Sequence, residues 1–150
     1  MAQGIQSLTV LVDTREQTPW AFGPGVVTLR ASLPSGDYSL PGLVEKVALE
    51  RKSLADLVGS LTSGRDRFMR EMERLALFDF AAIVVEGSLE NVLRKEYRSD
   101  ASPSSIMGSC AMIHARYGVP TIWCSTRSCA ILYAEKLLTQ TWNAAQAANS

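Results

Sequence analysis

Runs of apolar residues divide the chain into short segments, and each run predicts one element of secondary structure. The fully apolar run at 80–85 predicts a buried central strand that pairs in parallel with its neighbours. Apolar residues at every third or fourth position predict an amphipathic helix over 65–78. The predicted strands are 8–13, 26–30, a short one near 37, 45–52, 80–85 and 121–124; the predicted helices begin at 53 and cover 65–78, 88–96, 103–117 and 127–146.

The order of these elements indicates the fold class. Strands that form hairpins come first, and strands alternate with helices afterwards. This order is typical of an α/β three-layer domain, in which helices cover a sheet. Because 150 residues is the size of one ordinary domain, we expect a single domain over 1–150.

Composition and charge restrict the partners and the location. The net charge is zero, with 15 basic and 15 acidic residues, so a nucleic-acid partner requires a local basic patch. Three cysteines without a CxxC pair favour a reducing location, which we expect to be cytoplasmic and, in a bacterium or virus, associated with the nucleoid. We expect no signal peptide and no membrane segment, because the run at 80–85 is far too short to cross a bilayer.

Three charged residues directly follow the apolar part of the predicted strand at 45–52. They are Glu50, Arg51 and Lys52. Because side chains alternate along a strand, Glu50 and Lys52 share one face of the sheet and Arg51 lies on the other. If the short strand near Asp37 pairs with this strand, Asp37 lies close to Glu50.

Two neighbouring carboxylates and an ammonium group could act on a phosphate. Asp37 and Glu50 would repel each other without a cation between them, and a few oxygen ligands suit Mg²⁺. Lys52 could hold the attacking water or stabilise the charge that develops at phosphorus. The same residues are also compatible with a solvated strand end before a helix, because Ser53 and Asp56 have the spacing of a capping box.

Further motifs surround this triplet in a fixed order. They are VDTRE at 12–16, GD at 36–37, ERKSLAD at 50–56, GRDRFMREMERL at 64–75 and VVEG at 84–87. Together they resemble the GD…ERKxxxD signature and flanking motifs of the XPF family of structure-specific DNA endonucleases. The resemblance covers residues 8–87 closely and continues more loosely to about 138. It implies a restriction-endonuclease-like fold, with a central mixed sheet flanked by helices.

The resemblance also implies an activity and a set of site residues. The activity is Mg²⁺-dependent cleavage of branched, flap or fork DNA in repair or recombination, with Mn²⁺ as a substitute. The implied catalytic residues are Asp13, Arg15, Glu16, Asp37, Glu50, Arg51, Lys52 and Asp56, and the implied metal ligands are Asp13, Asp37 and Glu50. Other roles stay open: turn capping for Asp13 and Glu16, an ion pair for Arg51, and helix capping for Asp56.

Arginines of the predicted helix at 65–78 are candidate DNA contacts. Arg67, Arg70 and Arg74 share one helix face, which could follow a phosphate backbone or could be a solvated surface. The family places glycine, arginine and phenylalanine together, whereas here two residues separate Arg65 from Phe68. Either Arg65 or Arg67 therefore corresponds to the family's arginine.

Two further features have more than one interpretation. Trp20 lies in a loop near the expected site and is a candidate for stacking on a DNA base, with core packing as the alternative. A zinc site is conceivable, but the residues lack a close cysteine pair, and free cysteines are commonly buried. The candidate zinc ligands are Cys110, His114, Cys124 and Cys129.

The partners and the activity also have alternatives. The family's helix-hairpin-helix module does not occur in this sequence, so we expect a homodimer or heterodimer to support DNA binding. The helix at 127–146 has an apolar face that either core packing or dimerisation explains. A non-catalytic DNA-binding scaffold subunit and another restriction-endonuclease-like resolvase are the alternative functions.

Overall fold

A six-stranded mixed sheet forms the centre of the protein, whose computed structural model describes residues 7–150. The strands are β1 (Leu8–Asp13), β2 (Val26–Ala31), β3 (Tyr38–Ser39), β4 (Val47–Ser53), β5 (Phe80–Glu86) and β6 (Thr121–Trp123). The helices are α1 (Leu54–Leu61), α2 (Arg65–Leu75), α3 (Leu89–Leu93), α4 (Pro103–Tyr117) and α5 (Arg127–Ala148). Residues 1–6, which bear on the expected absence of a signal peptide, lie outside the described residues.

The strand order is β2-β1-β3-β4-β5-β6. The hairpin prediction is confirmed for β3 and β4, which pair antiparallel, and the prediction of β5 as a central parallel strand is also confirmed. The hairpin prediction is wrong for β1 and β2, which pair in parallel. The long segment at 14–25 carries the chain back to the start of β1, where the Leu8 amide donates to the Gly25 carbonyl (3.1 Å).

Helices cover both faces of the sheet. Alternate residues of β5 face opposite sides, so Ile83 and Val85 belong to one buried cluster and Ala82 and Val84 to the other. Buried residues of α1, α2 and α4 complete the first cluster, and α5 completes the second. The predicted three-layer α/β fold with a central mixed sheet is therefore confirmed.

The helices differ from the sequence prediction mainly at their ends. The third helix ends at Leu93 rather than at 96, because Lys95 has a left-handed φ of 54°, which an α-helix does not continue. The last helix continues to Ala148, slightly beyond the predicted end. Within residues 7–150, no helix has both the length and the apolar character needed to cross a membrane.

Candidate active site at the end of β4

A polar cleft of about 570 Å³ opens beside the ends of β1 and β4, under helices α1 and α2. The charged residues that line it are Asp13, Arg15, Glu16, Asp37, Glu50, Lys52, Asp56, Arg67 and Glu71. The fold therefore brings together every residue of the expected catalytic set except Arg51. These residues come from distant parts of the sequence and meet because β1 and β4 end, and β3 begins, at the same edge of the sheet, which α1 and α2 cover.

Antiparallel pairing of β3 and β4 brings the two expected metal ligands together. Tyr38 pairs with Leu49, and the Asp37 amide donates to the Leu49 carbonyl (2.8 Å). The amide of Arg51 donates in turn to Asp37 Oδ2 (2.7 Å). Asp37 therefore lies next to Glu50, on the neighbouring strand and in the same cleft.

Gly36 explains why the acidic residue of the GD motif follows a glycine. Its φ is +82°, in the left-handed region that residues with a side chain rarely adopt. A Cβ at this position would also lie 2.8 Å from the Cβ of Ala48, which is too close. A glycine therefore allows the chain to pass against β4 and to place Asp37 beside Glu50.

Burial and neighbouring negative charges disfavour the ionised forms of Asp37 and Glu50. Glu50 is 6% exposed, and burial raises its pKa well above the ordinary value. The charges of Asp37 and Glu71 raise the pKa of Glu50 further, against the opposite effect of Lys52. Burial also raises the pKa of Asp37 to about 6, although the amide of Arg51 lowers it.

Mg²⁺ fits this donor set. Carboxylates with raised pKa values are poorly compensated by the protein, and a cation between them would favour their ionised forms. Among residues 7–150, no group of three or more Asp, Glu, His or Cys side chains is arranged to hold an ion. Mg²⁺ is commonly bound through one or two carboxylates, with water and substrate phosphate as the other ligands, so Asp37 and Glu50 suffice.

Asp13 does not offer a free carboxylate to this site, and the structure does not support its prediction as a metal ligand. Its Oδ1 accepts the Leu33 amide (3.0 Å), and its Oδ2 accepts Arg15 Nε (2.7 Å). Burial alone would raise the pKa of Asp13, but these hydrogen bonds and the charge of Arg15 outweigh it and lower the pKa. Asp13 therefore organises the segment after β1.

Lys52 lies on the same face of β4 as Glu50, so the prediction from strand alternation is confirmed. Its Nζ is 3.5 Å from Glu50 Oε1 and 5.1 Å from the centre of the Phe68 ring. Asp56 lines the cleft, and its amide donates to Ser53 Oγ (3.1 Å), so Ser53 caps α1 as the spacing predicted.

Arg51 lies on the opposite face of the sheet, outside the cleft. Its Nε donates to Glu86 Oε1 (2.7 Å), and its Nη1 donates to Glu16 Oε1 (3.2 Å). The alternative of an ion pair therefore describes the geometry of Arg51 better than a contact with a reacting group. Glu16 lines the cleft and also accepts the hydrogen bond from Arg51, so it connects the cleft with the opposite face of the sheet.

The four arginines of α2 have different surroundings. Of the two candidates for the family's arginine, Arg67 lines the cleft, whereas Arg65 donates to Ser109 Oγ of α4 (2.9 Å). Arg70 and Arg74 are exposed on α2 and do not line the cleft. The geometry therefore brings one of these arginines, Arg67, to the carboxylates.

The prediction that Trp20 stacks on a DNA base is wrong. Trp20 is 2% exposed, and its ring already stacks on the Tyr38 ring with centroids 4.5 Å apart. Its amide also donates to the Tyr38 hydroxyl (2.8 Å). Core packing, the alternative interpretation, therefore accounts for Trp20.

The conceivable zinc site does not form among the described residues. Cys110 and Cys124 are buried in the two clusters on opposite faces of the sheet, and Cys129 is exposed on α5. Cys110 and His114 have the spacing of two ligands on one face of a helix, but the fold separates them from Cys124 and Cys129.

Glu71 of α2 is a cleft residue that the sequence motifs did not single out. Its negative charge raises the pKa of both Glu50 and Asp37. In the sequence, its spacing from Arg67 indicated a solvated surface pair. The signal that could have found it is helical periodicity, since Glu71 follows the buried Phe68 by three positions and Arg67 by four.

Comparisons with known proteins agree with this geometry. The family model of the ERCC4 domain matches residues 12–137. The structure of XPF from Aeropyrum pernix matches with a TM-score of 0.70 and 27% identity, over 89% of this chain and 61% of that chain. XPF from Aeropyrum pernix in complex with DNA matches with a TM-score of 0.71 and 26% identity, over 91% of this chain and 66% of that chain.

This chain thus spans less than two thirds of the XPF chains that it matches. The comparison with curated proteins found no match. The ERCC4 match nevertheless covers most of the sequence, including every motif that builds the cleft. From the order of these motifs, the mixed sheet and the match over residues 12–137, it follows that the chain belongs to the ERCC4-domain family of XPF-type DNA nucleases.

Proposed function

We propose that this chain is a Mg²⁺-dependent endonuclease that hydrolyses phosphodiester bonds in branched, flap or fork DNA during repair or recombination. The observation that carries the proposal is the pair of Asp37 and Glu50 in one polar cleft, with Lys52 Nζ 3.5 Å from Glu50. Membership of the nuclease family supports the reaction, and the DNA complex of the similar XPF supports the substrate class.

Four cleft residues have proposed roles in the reaction. Mg²⁺ held by Asp37 and Glu50 would polarise the phosphate and lower the pKa of a water molecule. Lys52 holds the attacking water or stabilises the negative charge that develops at phosphorus. Arg67 binds a neighbouring phosphate. Water attacks phosphorus in line and loses a proton, the P–O3′ bond breaks, and the leaving 3′ oxygen takes a proton from solvent, which gives a 5′-phosphate and a 3′-hydroxyl.

A cleavage assay on a panel of DNA structures tests this function. We expect cutting of flap, fork or four-way DNA with Mg²⁺ or Mn²⁺, and none with EDTA. Asp37→Asn should lower the rate at least ~10²-fold, because it removes a charge that the transition state requires. Asp79→Asn changes an exposed aspartate that does not line the cleft and is the matched control. Metal-independent cutting would refute the mechanism, and DNA binding without cutting under every metal would favour the scaffold alternative.

We also propose that a second copy of the chain docks on α5 and β6. Leu132 and Tyr133 are 65% and 48% exposed and border an apolar groove with Ile122 and Trp123. β6 is at the edge of the sheet and pairs only with β5 among the described strands. A symmetric copy would cover both the groove and the free edge, which explains why large apolar side chains are exposed there.

Sedimentation measurements test this dimer. We expect the wild-type chain to sediment as a dimer and Leu132→Glu as a monomer, because a buried charge opposes the contact. Leu77→Glu is the matched control, since Leu77 is 86% exposed and does not line this groove. A wild-type monomer at every concentration, or a dimer that Leu132→Glu leaves intact, would contradict the proposal.

A further inference from the structure

Three arginines from three different elements hold the loop that follows β1. They are Arg30 of β2, Arg51 of β4 and Arg127 of α5, and we call them the loop clamp. Arg30 Nη1 donates to the carbonyl oxygens of Asp13 (3.0 Å) and Glu16 (2.7 Å). The Asp13 carbonyl also accepts the Glu16 amide (3.0 Å), so the guanidinium group of Arg30 holds both ends of this turn and fixes the path of the backbone.

Buried Glu86, at the end of β5, joins the other two arginines of the loop clamp. Its side chain is 7% exposed; Oε1 accepts Arg51 Nε (2.7 Å), and Oε2 accepts Arg127 Nη1 (3.3 Å). From there Arg51 reaches Glu16 Oε1 (3.2 Å), while Arg127 Nη2 donates to the Thr18 carbonyl (2.8 Å). A buried carboxylate between two guanidinium groups holds both side chains in place.

The clamped loop at 14–19 carries two residues into the cleft, Arg15 and Glu16. The side chain of Arg15 is 71% exposed and lies against Asp13, whose Oδ2 accepts its Nε (2.7 Å). The side chain of Arg51 is only 17% exposed and is directed to protein acceptors on the other face of the sheet. Arg15 Nη2 also donates to the Leu33 carbonyl (3.3 Å), but Arg15 is exposed and lines the cleft, so it can reach a phosphate there, whereas Arg51 lies on the other face of the sheet.

We propose that the loop clamp positions residues 14–19 against the DNA, that Arg15 contacts a phosphate, and that Arg51 is a positioning residue rather than a catalytic one. This inference rests on the proposed function. It changes the role that the family resemblance implied for Arg51, and it adds Glu86 and Arg127, to which the sequence motifs gave no role.

The salt dependence of DNA binding separates a phosphate contact from a positioning role. The affinity for a forked duplex is measured in EDTA, from about 50 to about 200 mM salt. Arg15→Gln should reduce the slope of log affinity against log salt by about one, because one phosphate contact is lost. Arg51→Gln and Arg127→Gln should weaken binding several-fold with the slope unchanged. Arg94→Gln, in an exposed pair with Glu90, is the control and should change neither quantity.

Hydrogen exchange without DNA tests the clamp independently of any nuclease activity. Arg127→Gln and Glu86→Gln should speed exchange of the loop amides at least about threefold, because each opens hydrogen bonds that hold the loop. Arg127→Lys should behave like Arg127→Gln, since one ammonium group cannot bridge Glu86 and Thr18 as the guanidinium does. Unchanged exchange in the buried amides of β5 shows that each variant is folded.

Two results would overturn the inference. One is loop exchange in Arg127→Gln that equals the wild-type rate, and the other is a salt slope that falls by about one in Arg51→Gln. If the wild-type chain cleaves no DNA, the proposed function fails, and the exchange measurement still decides whether the clamp holds the loop.

Discussion

Replacing Glu50 with glutamine is expected to lower DNA cleavage at least ~10²-fold and to abolish the stabilisation of the protein by Mg²⁺. Loss of one hydrogen-bond donor that stabilises the charge of a transition state typically costs ~10²–10³ in rate, and we expect loss of a metal ligand to cost at least as much. A ligand that binds only the folded state stabilises it by about 2.7 kcal/mol at a hundred times its dissociation constant. Glu50 is buried beside Asp37, so an amide in its place removes half of the proposed donor pair.

Two measurements check this expectation. Single-turnover cleavage gives the rate, and thermal unfolding in EDTA and in Mg²⁺ gives the stabilisation by the ion. Glu90→Gln is the matched control, because Glu90 is exposed and pairs with Arg94 on α3, away from the cleft. If Mg²⁺ raises the melting temperature of Glu50→Gln as much as that of the wild type, Glu50 is not a ligand.

The metal-free protein is expected to lose about 3 kcal/mol of stability as the pH rises through about 6. Burial raises the pKa of Asp37 from 3.8 to about 6, and one pKa unit corresponds to about 1.4 kcal/mol. The folded protein thus binds this proton more tightly than the unfolded chain does. The stabilisation is complete below about pH 4 and is lost as the pH rises through the folded-state pKa.

The pKa shifts of neighbouring groups do not reverse this loss of stability with rising pH. Burial raises the pKa of Glu50, so Glu50 acts in the same direction. The pKa of Asp13 is lowered, so its contribution is present above about pH 4 and is lost only at more acidic pH.

Urea denaturation in EDTA between about pH 4 and about pH 8 measures this effect. Asp37→Asn should remove the part of the loss that Asp37 causes and leave the part that Glu50 causes, and Asp79→Asn, at an exposed position, should leave the profile unchanged. Mg²⁺ should oppose the loss, because it binds the ionised carboxylates. A metal-free stability that rises through this range would show that the buried carboxylates are better compensated than their surroundings indicate.

Features that depend on neighbouring residues were predictable without a structure. Strand alternation placed Glu50 and Lys52 on one face and Arg51 on the other, and the salt bridges agree. The apolar run at 80–85 identified the central strand, because a strand buried on both faces needs no polar positions. The order of the motifs identified the family, and the match over residues 12–137 confirms it.

Which of these residues contact one another depends on the packing of distant elements. The pairing of β1 with β2, the burial of Trp20 and the presence of Arg67 rather than Arg65 at the cleft depend on how distant elements pack. Packing also explains why Glu71, and not Asp13, acts on the two carboxylates. Hydrogen bonds within the loop engage the Asp13 carboxylate, whereas α2 brings Glu71 next to Glu50. Local periodicity determines which face of a strand or helix a side chain occupies. Long-range packing determines which residues that side chain contacts, and no local pattern of residues contains this information.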